Sequence, residues 1–343
     1  MIFAQVRSGG CLSYLIGCEE TRAAIVVDPE LEQTDHYVAL AAEKGLRIRY
    51  VLDTHTHADH FSATRALAGQ LQVPVVVGHR SPAPFADLRV EQDETLIVGK
   101  LRLRVLETPG HTDDSICLVV GDRVLTGDTL LIGGTGRTDL PTGDPAALHD
   151  SLFGKLLQLD DGLLVYPAHD YKTRSHSTLG QEKAQNPRLA AQERGAFIEL
   201  MRGLDLAMPR HLTEALRTNR TGGKTVHELI ADAARQVPFM AIEDVSRLVQ
   251  RNDASLLILD VRERDAFAAG HLPGARNVPR GELELRADGE LPDPTVRILT
   301  TCRFGKVSTL AAATLRSMGY TRVVALDGGI DAWTAAGHPL EKS

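Results

Sequence analysis

The chain has 343 residues, of which 43% are hydrophobic, 24% charged and 4% aromatic, and its formal net charge is -7. This length predicts two domains, and the composition is that of a globular protein whose cores are built from aliphatic side chains. The acidic balance argues against a nucleic-acid-binding protein.

Targeting signals and disulfides are not expected either. The sequence contains no apolar run of membrane-spanning length, so neither a transmembrane helix nor a membrane partner is expected. Residues 1–7 do not show the charged-then-apolar pattern of a secretory signal. The four cysteines, Cys11, Cys18, Cys117 and Cys302, form no C-x-x-C pair and no disulfide framework. These features favour the reducing cytoplasm.

Short apolar runs rich in β-branched residues dominate the first two hundred residues and predict strands. They lie at 11–16, 23–27, 49–52, 73–77, 95–98, 101–106, 116–120 and 163–166. Helices are predicted over 34–43 and 144–159, the second with Asp144 as its N-cap and Pro145 in its first turn. The first domain is therefore predicted to be mixed α/β, with more strands than a simple doubly wound sheet needs.

A dense group of metal-ligand residues directly follows the predicted strand at 49–52. His55, His57, Asp59 and His60 fall within six residues. Imidazole nitrogens and carboxylate oxygens are ligands for zinc, iron, copper and manganese. The spacing predicts a metal site in this loop.

Three more ligand-type side chains, His111, Asp128 and His169, each follow an apolar strand-like run. Any one of them alone could be an ordinary hydrogen-bonded polar residue. Loops at strand ends, held by a rigid sheet, are the usual place for a functional site. The shared setting therefore predicts that these residues converge with the first group on one site.

The pattern resembles the five-part motif of the metallo-β-lactamase superfamily over roughly residues 1–200. The motif stands here as His55-x-His57-x-Asp59-His60, His111, Asp128 and His169. The resemblance implies an αββα sandwich with the metal at one edge of the packed sheets. Because all seven residues of a two-metal site are present, one interpretation is a dizinc thioester hydrolase resembling glyoxalase II. Its C-terminal domain would then be an accessory sulfurtransferase or a sulfur-binding module.

Other segments look like the persulfide dioxygenase branch of that superfamily. They are Gly133-Gly134-Thr135-Gly136-Arg137-Thr138-Asp139, Ala168-His169-Asp170-Tyr171 and Asn186-Pro187-Arg188-Leu189. This resemblance implies one Fe(II) per chain, held by His55, His111 and Asp128. Two histidines and one carboxylate leave positions open for both a substrate and O2, whereas zinc is redox-inert. The remaining motif residues would support the ligands and hydrogen-bond bound water, namely His57, Asp59, His60 and His169.

The same resemblance implies that glutathione persulfide and O2 are converted to sulfite and glutathione. Glutathione carries two carboxylates, so its pocket should supply cations and hydrogen-bond donors. The candidates are Arg137, Tyr171, Lys172, Arg174 and Arg220. The first two rest on their motif positions, and for the other three a solvated surface charge fits the sequence equally well.

The amino-acid composition changes at residues 203–237, and this change predicts a connector between domains at 1–202 and 238–343. Residues 214–224 are mostly polar and include two adjacent glycines, which is typical of a loop, and a helix-like stretch follows at 226–235. Beyond it, strands predicted at 255–259, 297–300 and 322–326 alternate with helices at 263–269 and 308–318. Apolar strands alternating with helices predict a parallel sheet covered on both faces.

Cys302 opens the loop Cys302-Arg303-Phe304-Gly305-Lys306-Val307-Ser308 between a predicted strand and a predicted helix. The amides and the positive dipole end of that helix would stabilise a thiolate or a sulfur anion. Arg303 and Lys306 are candidates for binding an anionic substrate. The competing interpretation is a buried structural cysteine.

The second half resembles rhodanese domains over about residues 239–340. The matching segments are Asp260-Val261-Arg262-Glu263, Gly270-His271-Leu272-Pro273-Gly274-Ala275, the Cys302 loop and Gly328-Gly329-Ile330-x-x-Trp333-x-x-x-Gly337-His338-Pro339. The resemblance implies transfer of sulfane sulfur among thiosulfate, sulfite and glutathione through a Cys302 persulfide. Val307 stands where many family loops carry Arg. The loop therefore lacks at this position a guanidinium that would favour thiosulfate as the anionic sulfur donor. The two resemblances together predict a persulfide dioxygenase–rhodanese fusion, and the sequence leaves the direction of transfer and a homo-oligomer open.

Overall fold

The structure is a computed structural model that describes residues 1–209, 212–291 and 293–342. The chain divides into two compact units, Met1–Gly223 and Lys224–Ser343. Among the described residues, no helix combines the length and the apolarity needed to cross a membrane.

Two six-stranded sheets form the centre of the first unit. The first sheet contains, in spatial order, β1 (Ile2–Ser8), β2 (Cys11–Gly17), β3 (Ala23–Val27), β4 (Arg47–Leu52), β5 (Val75–Gly78) and β6 (Leu88–Val90). The second sheet contains β7 (Thr95–Val98), β8 (Leu101–Glu107), β9 (Ile116–Val120), β10 (Arg123–Gly127), β13 (Leu164–Pro167) and β14 (Ser177–Thr178), ordered β14-β13-β10-β9-β8-β7. A small hairpin pairs β11 (Leu130–Leu131) with β12 (Gly134–Thr135).

Helices cover the outer faces of these sheets. They are α1 (Thr34–Glu43), α2 (Thr64–Leu71), α3 (Pro145–Gly154), α4 (Leu179–Gln185) and α5 (Arg194–Arg202), while α6 (Leu212–Thr221) packs against the loop that follows β4. Side chains of a strand alternate between the two faces of a sheet. On β2, Leu12, Tyr14 and Ile16 accordingly join the core between the sheets, while Leu15 packs in the cluster that holds Tyr37 of α1. The predicted αββα sandwich is thus confirmed.

Two pairs of parallel strands direct the loops that carry the motif residues. β3 pairs with β4 so that Val27 lies opposite Leu52, and β10 pairs with β13 so that Gly127 lies opposite Pro167. Parallel neighbours end at the same edge of a sheet. The residues that follow these strands are therefore brought together, although they are far apart in the sequence.

The second unit is built on one parallel sheet. Its strands are β15 (Phe239–Met240), β16 (Leu256–Asp260), β17 (Arg276–Asn277), β18 (Arg297–Thr301) and β19 (Val323–Leu326), ordered β15-β19-β18-β16-β17. Its helices are α7 (Val226–Gln236), α8 (Ile242–Gln250), α9 (Arg264–Ala269), α10 (Leu283–Glu290), α11 (Lys306–Ser317) and α12 (Gly329–Ala335). Separate apolar clusters contain Ala311 of α11 and Trp333 of α12. The predicted parallel α/β architecture is confirmed.

One predicted helix is shorter than expected, and part of the predicted connector is helical. The helix that begins at Pro145 is capped by Asp144 as predicted, but it ends at Gly154 and gives way to a 3-10 turn at Leu156–Gln158. Part of the predicted connector at 203–237 is helix α6, which buries Ala215, Thr218 and Asn219. Spacings of three and four residues place these side chains on one helical face.

Candidate metal centre and sulfur-transfer loop

Three of the predicted ligands lie together at the ends of three strands. His55 follows β4, His111 follows β8, and Asp128 follows β10, and their ligand atoms lie within 4.8 Å of one another. His111 Nε2 is 3.5 Å from Asp128 Oδ2. Both imidazoles are buried, with 3% of His55 and 5% of His111 exposed. The donor set of two imidazoles and one carboxylate fits a divalent iron, zinc or manganese ion.

The imidazole of His55 is oriented through Thr54. The Thr54 hydroxyl donates to Asp28 Oδ2 at 2.9 Å and lies 3.0 Å from His55 Nδ1. A hydroxyl whose proton is already donated can only accept, so Nδ1 carries the proton and Nε2 keeps its lone pair for a metal. Burial, followed by the neighbouring His57, lowers the pKa of His55 well below its usual value, which favours the neutral ligand form. A Cβ at Gly127 would come 2.6 Å from the Thr54 hydroxyl, so glycine is required at this close approach.

A carbonyl group orients His111 in the same way. His111 Nδ1 lies 2.8 Å from the carbonyl oxygen of Arg137. Since a carbonyl can only accept, Nδ1 donates and Nε2 faces Asp128 with its lone pair free. A Cβ at Gly136 would come 2.1 Å from the carbonyl oxygen of Asp128, so this glycine allows the close approach of the segment that supplies the Arg137 carbonyl.

His169 connects this group to Asp59. Its Nδ1 is 2.7 Å from Asp128 Oδ1, and its Nε2 is 2.7 Å from Asp59 Oδ2. Burial disfavours the imidazolium, but the carboxylates of Asp128 and Asp59 outweigh it and raise the pKa of His169 well above its usual value. The two half-buried carboxylates therefore favour the imidazolium form of His169.

A second group of ligand-type atoms contains a cysteine to which the sequence analysis gave no role. Cys11 Sγ lies 3.5 Å from His169 Nε2, 3.7 Å from His60 Nδ1 and 3.9 Å from Asp59 Oδ2. Burial would raise the pKa of the Cys11 thiol, but hydrogen bonds to His169 and His60 lower it. Its position, one residue after the Gly9-Gly10 turn at the start of β2, gave no signal in the sequence.

His57 belongs to neither of these two groups. Its Nε2 lies 3.3 Å from Asp28 Oδ1 and 3.7 Å from Asp53 Oδ1. The hydrogen bonds to these two carboxylates outweigh burial and raise the pKa of His57 well above its usual value. The ligand atoms of the seven motif residues are thus distributed over three clusters: His57 Nε2 faces the two carboxylates, although the His57 ring centroid lies 4.1 Å from that of His55.

A cavity of about 450 Å³ opens beside the metal-ligand group. Asp59, His111, Asp128 and His169 form part of its wall. Basic and apolar side chains form the rest, among them Leu131, Ile132, Arg137, Leu140, Lys172, Arg174, Arg188 and Leu206. An anionic ligand of moderate size could reach the metal-ligand atoms from this cavity.

Four of the five predicted substrate-binding residues line this cavity. They are Arg137, Tyr171, Lys172 and Arg174. Two of these are already engaged: Arg137 pairs with Asp139 at 2.6 Å, and Arg174 pairs with Asp170 at 2.8 Å. Arg220 instead lines a separate, smaller cavity beside Thr56 and Ala58.

The Arg188 guanidinium was not proposed from the sequence, although its motif was noted. It is half-buried in the cavity wall, and its NH1 lies 3.8 Å from Met201 Sδ. Burial lowers the pKa of Arg188. No carboxylate is paired with it within the described part of the chain. The side chain of Asn186 holds this turn by accepting from Arg188 N at 3.0 Å and donating to the Gly134 carbonyl at 2.9 Å.

In the second unit, Cys302 lies directly after β18 and faces the first turn of α11. Its Sγ accepts from Ser308 N at 3.2 Å and lies 3.3 Å from the Ser308 hydroxyl. The Sγ donates to that hydroxyl, whose own proton goes to the Gly305 carbonyl at 2.9 Å, so the Ser308 N–H is the donor that the helix N-terminus supplies to the sulfur. A Cβ at Gly329 would come 2.4 Å from the Cys302 carbonyl, so this glycine permits the tight loop. Arg303 and Lys306 are exposed on the loop, and Arg303 also pairs with Asp331 at 3.3 Å.

Comparisons with known proteins agree with this two-part architecture. The metallo-beta-lactamase superfamily profile matches residues 6–169, and the rhodanese-like domain profile matches residues 242–336. The human protein named persulfide dioxygenase ETHE1, mitochondrial, is 36% identical over 215 residues, which cover 62% of this chain and 84% of that protein.

Solved structures of metallo-β-lactamase-like proteins are also similar to this chain. The crystal structure of ETHE1 from Myxococcus xanthus has a TM-score of 0.64 and 44% identity, covering 65% of this chain and all 100% of that one. A metallo-beta-lactamase structure from Staphylococcus aureus has a TM-score of 0.61 and 25% identity, covering 95% and 98% of the two chains. The chain therefore belongs to the metallo-β-lactamase superfamily, as an ETHE1-type domain fused to a rhodanese-like domain.

Proposed function

We propose that the first unit oxidises glutathione persulfide with O2 at one Fe(II), and that the second unit transfers sulfane sulfur through Cys302. The balanced reaction is GSSH + O2 + H2O → GSH + H2SO3, in which the sulfane sulfur is oxidised and O2 is reduced. The observation that carries the proposal is the group of His55, His111 and Asp128 beside a cavity whose wall includes Lys172 and Arg188.

The chemistry of the donor set supports iron. Two neutral imidazoles and one carboxylate leave several coordination positions open, and iron would supply a redox-active centre at which persulfide and O2 can meet. Asp28 orients His55 through Thr54, and the Arg137 carbonyl orients His111. The chain thereby presents two Nε2 lone pairs and one carboxylate to the same point.

The cavity supports a glutathione-based substrate. Glutathione has two carboxylates, and a carboxylate is bound best by a guanidinium that has no other anionic partner. Arg188 and Lys172 are the candidates, because Arg137 and Arg174 already pair with Asp139 and Asp170. Leu131 and Ile132 add apolar surface to the same cavity wall.

The Cys302 step is a transfer between two sulfur nucleophiles. The thiolate attacks the outer sulfur of thiosulfate, sulfite leaves, and a Cys302 persulfide forms. A glutathione thiolate then takes that sulfur, giving glutathione persulfide and restoring Cys302. The sum, S2O3²⁻ + GSH → GSSH + SO3²⁻, supplies the substrate of the first unit, and the reverse direction would consume its sulfite.

An oxygen electrode tests the dioxygenase proposal directly. Protein reconstituted with Fe(II) is expected to consume one O2 for each glutathione persulfide and to release one sulfite, whereas zinc-loaded protein should consume none. If the protein is instead a dizinc hydrolase, neither metal form should consume O2. Two bound zinc ions, hydrolysis of a glutathione thioester and no O2 uptake by the iron form would overturn the proposal.

A further inference from the structure

Helix α6 carries a buried polar residue that the motif does not include. Asn219 lies in the stretch that reads as a connector, outside residues 6–169 that the superfamily profile matches. Only 8% of Asn219 is exposed. A buried amide needs hydrogen-bond partners, and the partners of Asn219 belong to the loop that carries the metal-ligand residues.

Asn219 bridges that loop with three hydrogen bonds. Its Nδ2 donates to the carbonyl oxygens of His57 and His60, at 2.9 Å each. Its Oδ1 accepts from the backbone N–H of Ser62 at 3.1 Å. One side chain from a remote helix therefore satisfies three backbone groups of a segment that has little regular secondary structure of its own.

Two other side chains hold the first half of the same loop. Asp28 accepts from Thr54 N at 2.6 Å, and Asp114 accepts from the Thr56 hydroxyl at 2.6 Å. Asn219 acts on the following half, from His57 to Ser62. The three anchors are distributed along the loop, so each fixes a different part of it.

Contacts at its C-terminal end fix helix α6 on the first unit. The guanidinium of Arg65, on α2, donates to the Gly222 carbonyl. Gly222 has a φ of +71°, and a Cβ there would come 2.8 Å from the Phe85 ring. Leu216 of the same helix lines a small cavity with Ala58 of the loop. The amide of Asn219 is thus held at a defined position.

We propose that Asn219 is a positioning residue of the metal centre, which keeps the segment from His57 to Ser62, with its supporting residues Asp59 and His60, in the conformation it has beside the ligand His55. The inference rests on the proposed metal site but not on its reaction. Without the amide, three backbone groups lose their partner, and the loop must relax to hydrate them. The unit that binds metal therefore extends through α6 to about Thr221.

The rate of metal release from the full-length chain tests this role. The protein is loaded with Co(II), and its release to a chelator and its visible d–d spectrum are recorded. Asn219→Ala is expected to release the ion about 10- to 100-fold faster, the factor by which metal affinity falls when groups that orient metal ligands are removed. Asn219→Asp keeps the size but cannot donate to two carbonyls, so it should release Co(II) at least as fast and show an altered spectrum.

Thr218→Val is the matched control, because the Thr218 hydroxyl is buried on the same helix and has no hydrogen-bond partner among the described residues. It should leave release and spectrum unchanged. Unchanged release in both Asn219 variants, or equal acceleration in Thr218→Val, would overturn the proposal. Co(II) release requires neither persulfide nor O2. A wild-type protein that binds Co(II), but whose Fe(II) form fails to consume O2 with glutathione persulfide, would therefore contradict the proposed function alone.

Discussion

The two candidate sites are assembled in different ways. The metal-ligand group takes side chains from the ends of β4, β8 and β10, with His169 after β13 and Cys11 at the start of β2 beside them. The Cys302 site lies mostly within one strand–loop–helix segment, in which the Ser308 N–H is the nearest donor, and the start of α12 contacts this loop from elsewhere in the sequence. A site built from distant segments depends on the packing of the whole unit, whereas a contiguous site depends mainly on its local backbone.

The sites also differ in how they hold charge. Around His169, a buried imidazole pairs with two half-buried carboxylates, so removal of one partner leaves another without its counter-charge. Around Cys302, the donor to the sulfur is a backbone N–H that the helix start provides in any case, and the thiol itself donates to the Ser308 hydroxyl. Substitutions should therefore affect both stability and chemistry in the first unit, but mainly chemistry in the second.

The largest effect is expected from Asp128→Ala. The substitution removes one predicted iron ligand and one of the two carboxylates of buried His169. Iron content and O2 consumption should fall to background, and the free energy of unfolding of the metal-free protein should fall by about 3 kcal/mol. Metal analysis, an oxygen electrode and chemical denaturation measure these effects. Asp122→Ala, at an exposed ion pair with Arg123, is the control, and full iron retention by Asp128→Ala would refute the ligand assignment.

Cys302→Ser should abolish sulfur transfer and leave the first unit unaffected. The hydroxyl cannot carry a persulfide, yet it can accept the Ser308 N–H, so the loop should keep its conformation. Thiosulfate-dependent release of sulfite should be lost, while O2 consumption with supplied glutathione persulfide persists. Mass spectrometry should find one added sulfur atom on Cys302 of the wild type only. Retained transfer would exclude Cys302, and Cys18→Ser is the control for the loss of a buried thiol.

A moderate effect is expected from Arg188→Met. The substitution keeps the aliphatic packing near Met201 but removes the cation in the cavity wall. Loss of one charge-assisted hydrogen bond, about 1.5 kcal/mol, should raise the KM for glutathione persulfide about tenfold with little change in kcat. Steady-state O2 uptake separates the two constants. The control is Arg202→Met on α5, which is exposed, and an unchanged KM would remove Arg188 from substrate binding.

The smallest effect is expected from Val307→Arg. Val307 is 42% exposed in the first turn of α11, so a longer side chain can be accommodated at little cost in stability. A guanidinium beside Cys302 should bind an anionic donor better than valine and lower the KM for thiosulfate about two- to fivefold. Val307→Met controls for size. If both variants give the wild-type KM, the anion must be bound elsewhere.

Local patterns predicted much of the secondary structure. The strands at Ala23–Val27, Thr95–Val98 and Ile116–Val120 and helix α1 have the predicted bounds. Each has a compact apolar or helical pattern that its own neighbours reinforce. Helix α6 was missed because it is polar over most of its length, and its buried face consists of Ala215, Thr218 and Asn219. The burial of such a face depends on a loop more than 150 residues away in the sequence.

The sequence by itself determined the residue types of both sites, since the histidines and aspartates at strand ends and the cysteine before a helix follow from local order along the chain. Only the tertiary structure decided that His57 faces Asp28 and Asp53, and that Cys11 lies beside His60 and His169. It also placed Arg188 rather than Arg220 beside the metal-ligand group. The physical reason is that a side chain's partners are set by how strands pair and sheets pack, which adjacent residues do not specify.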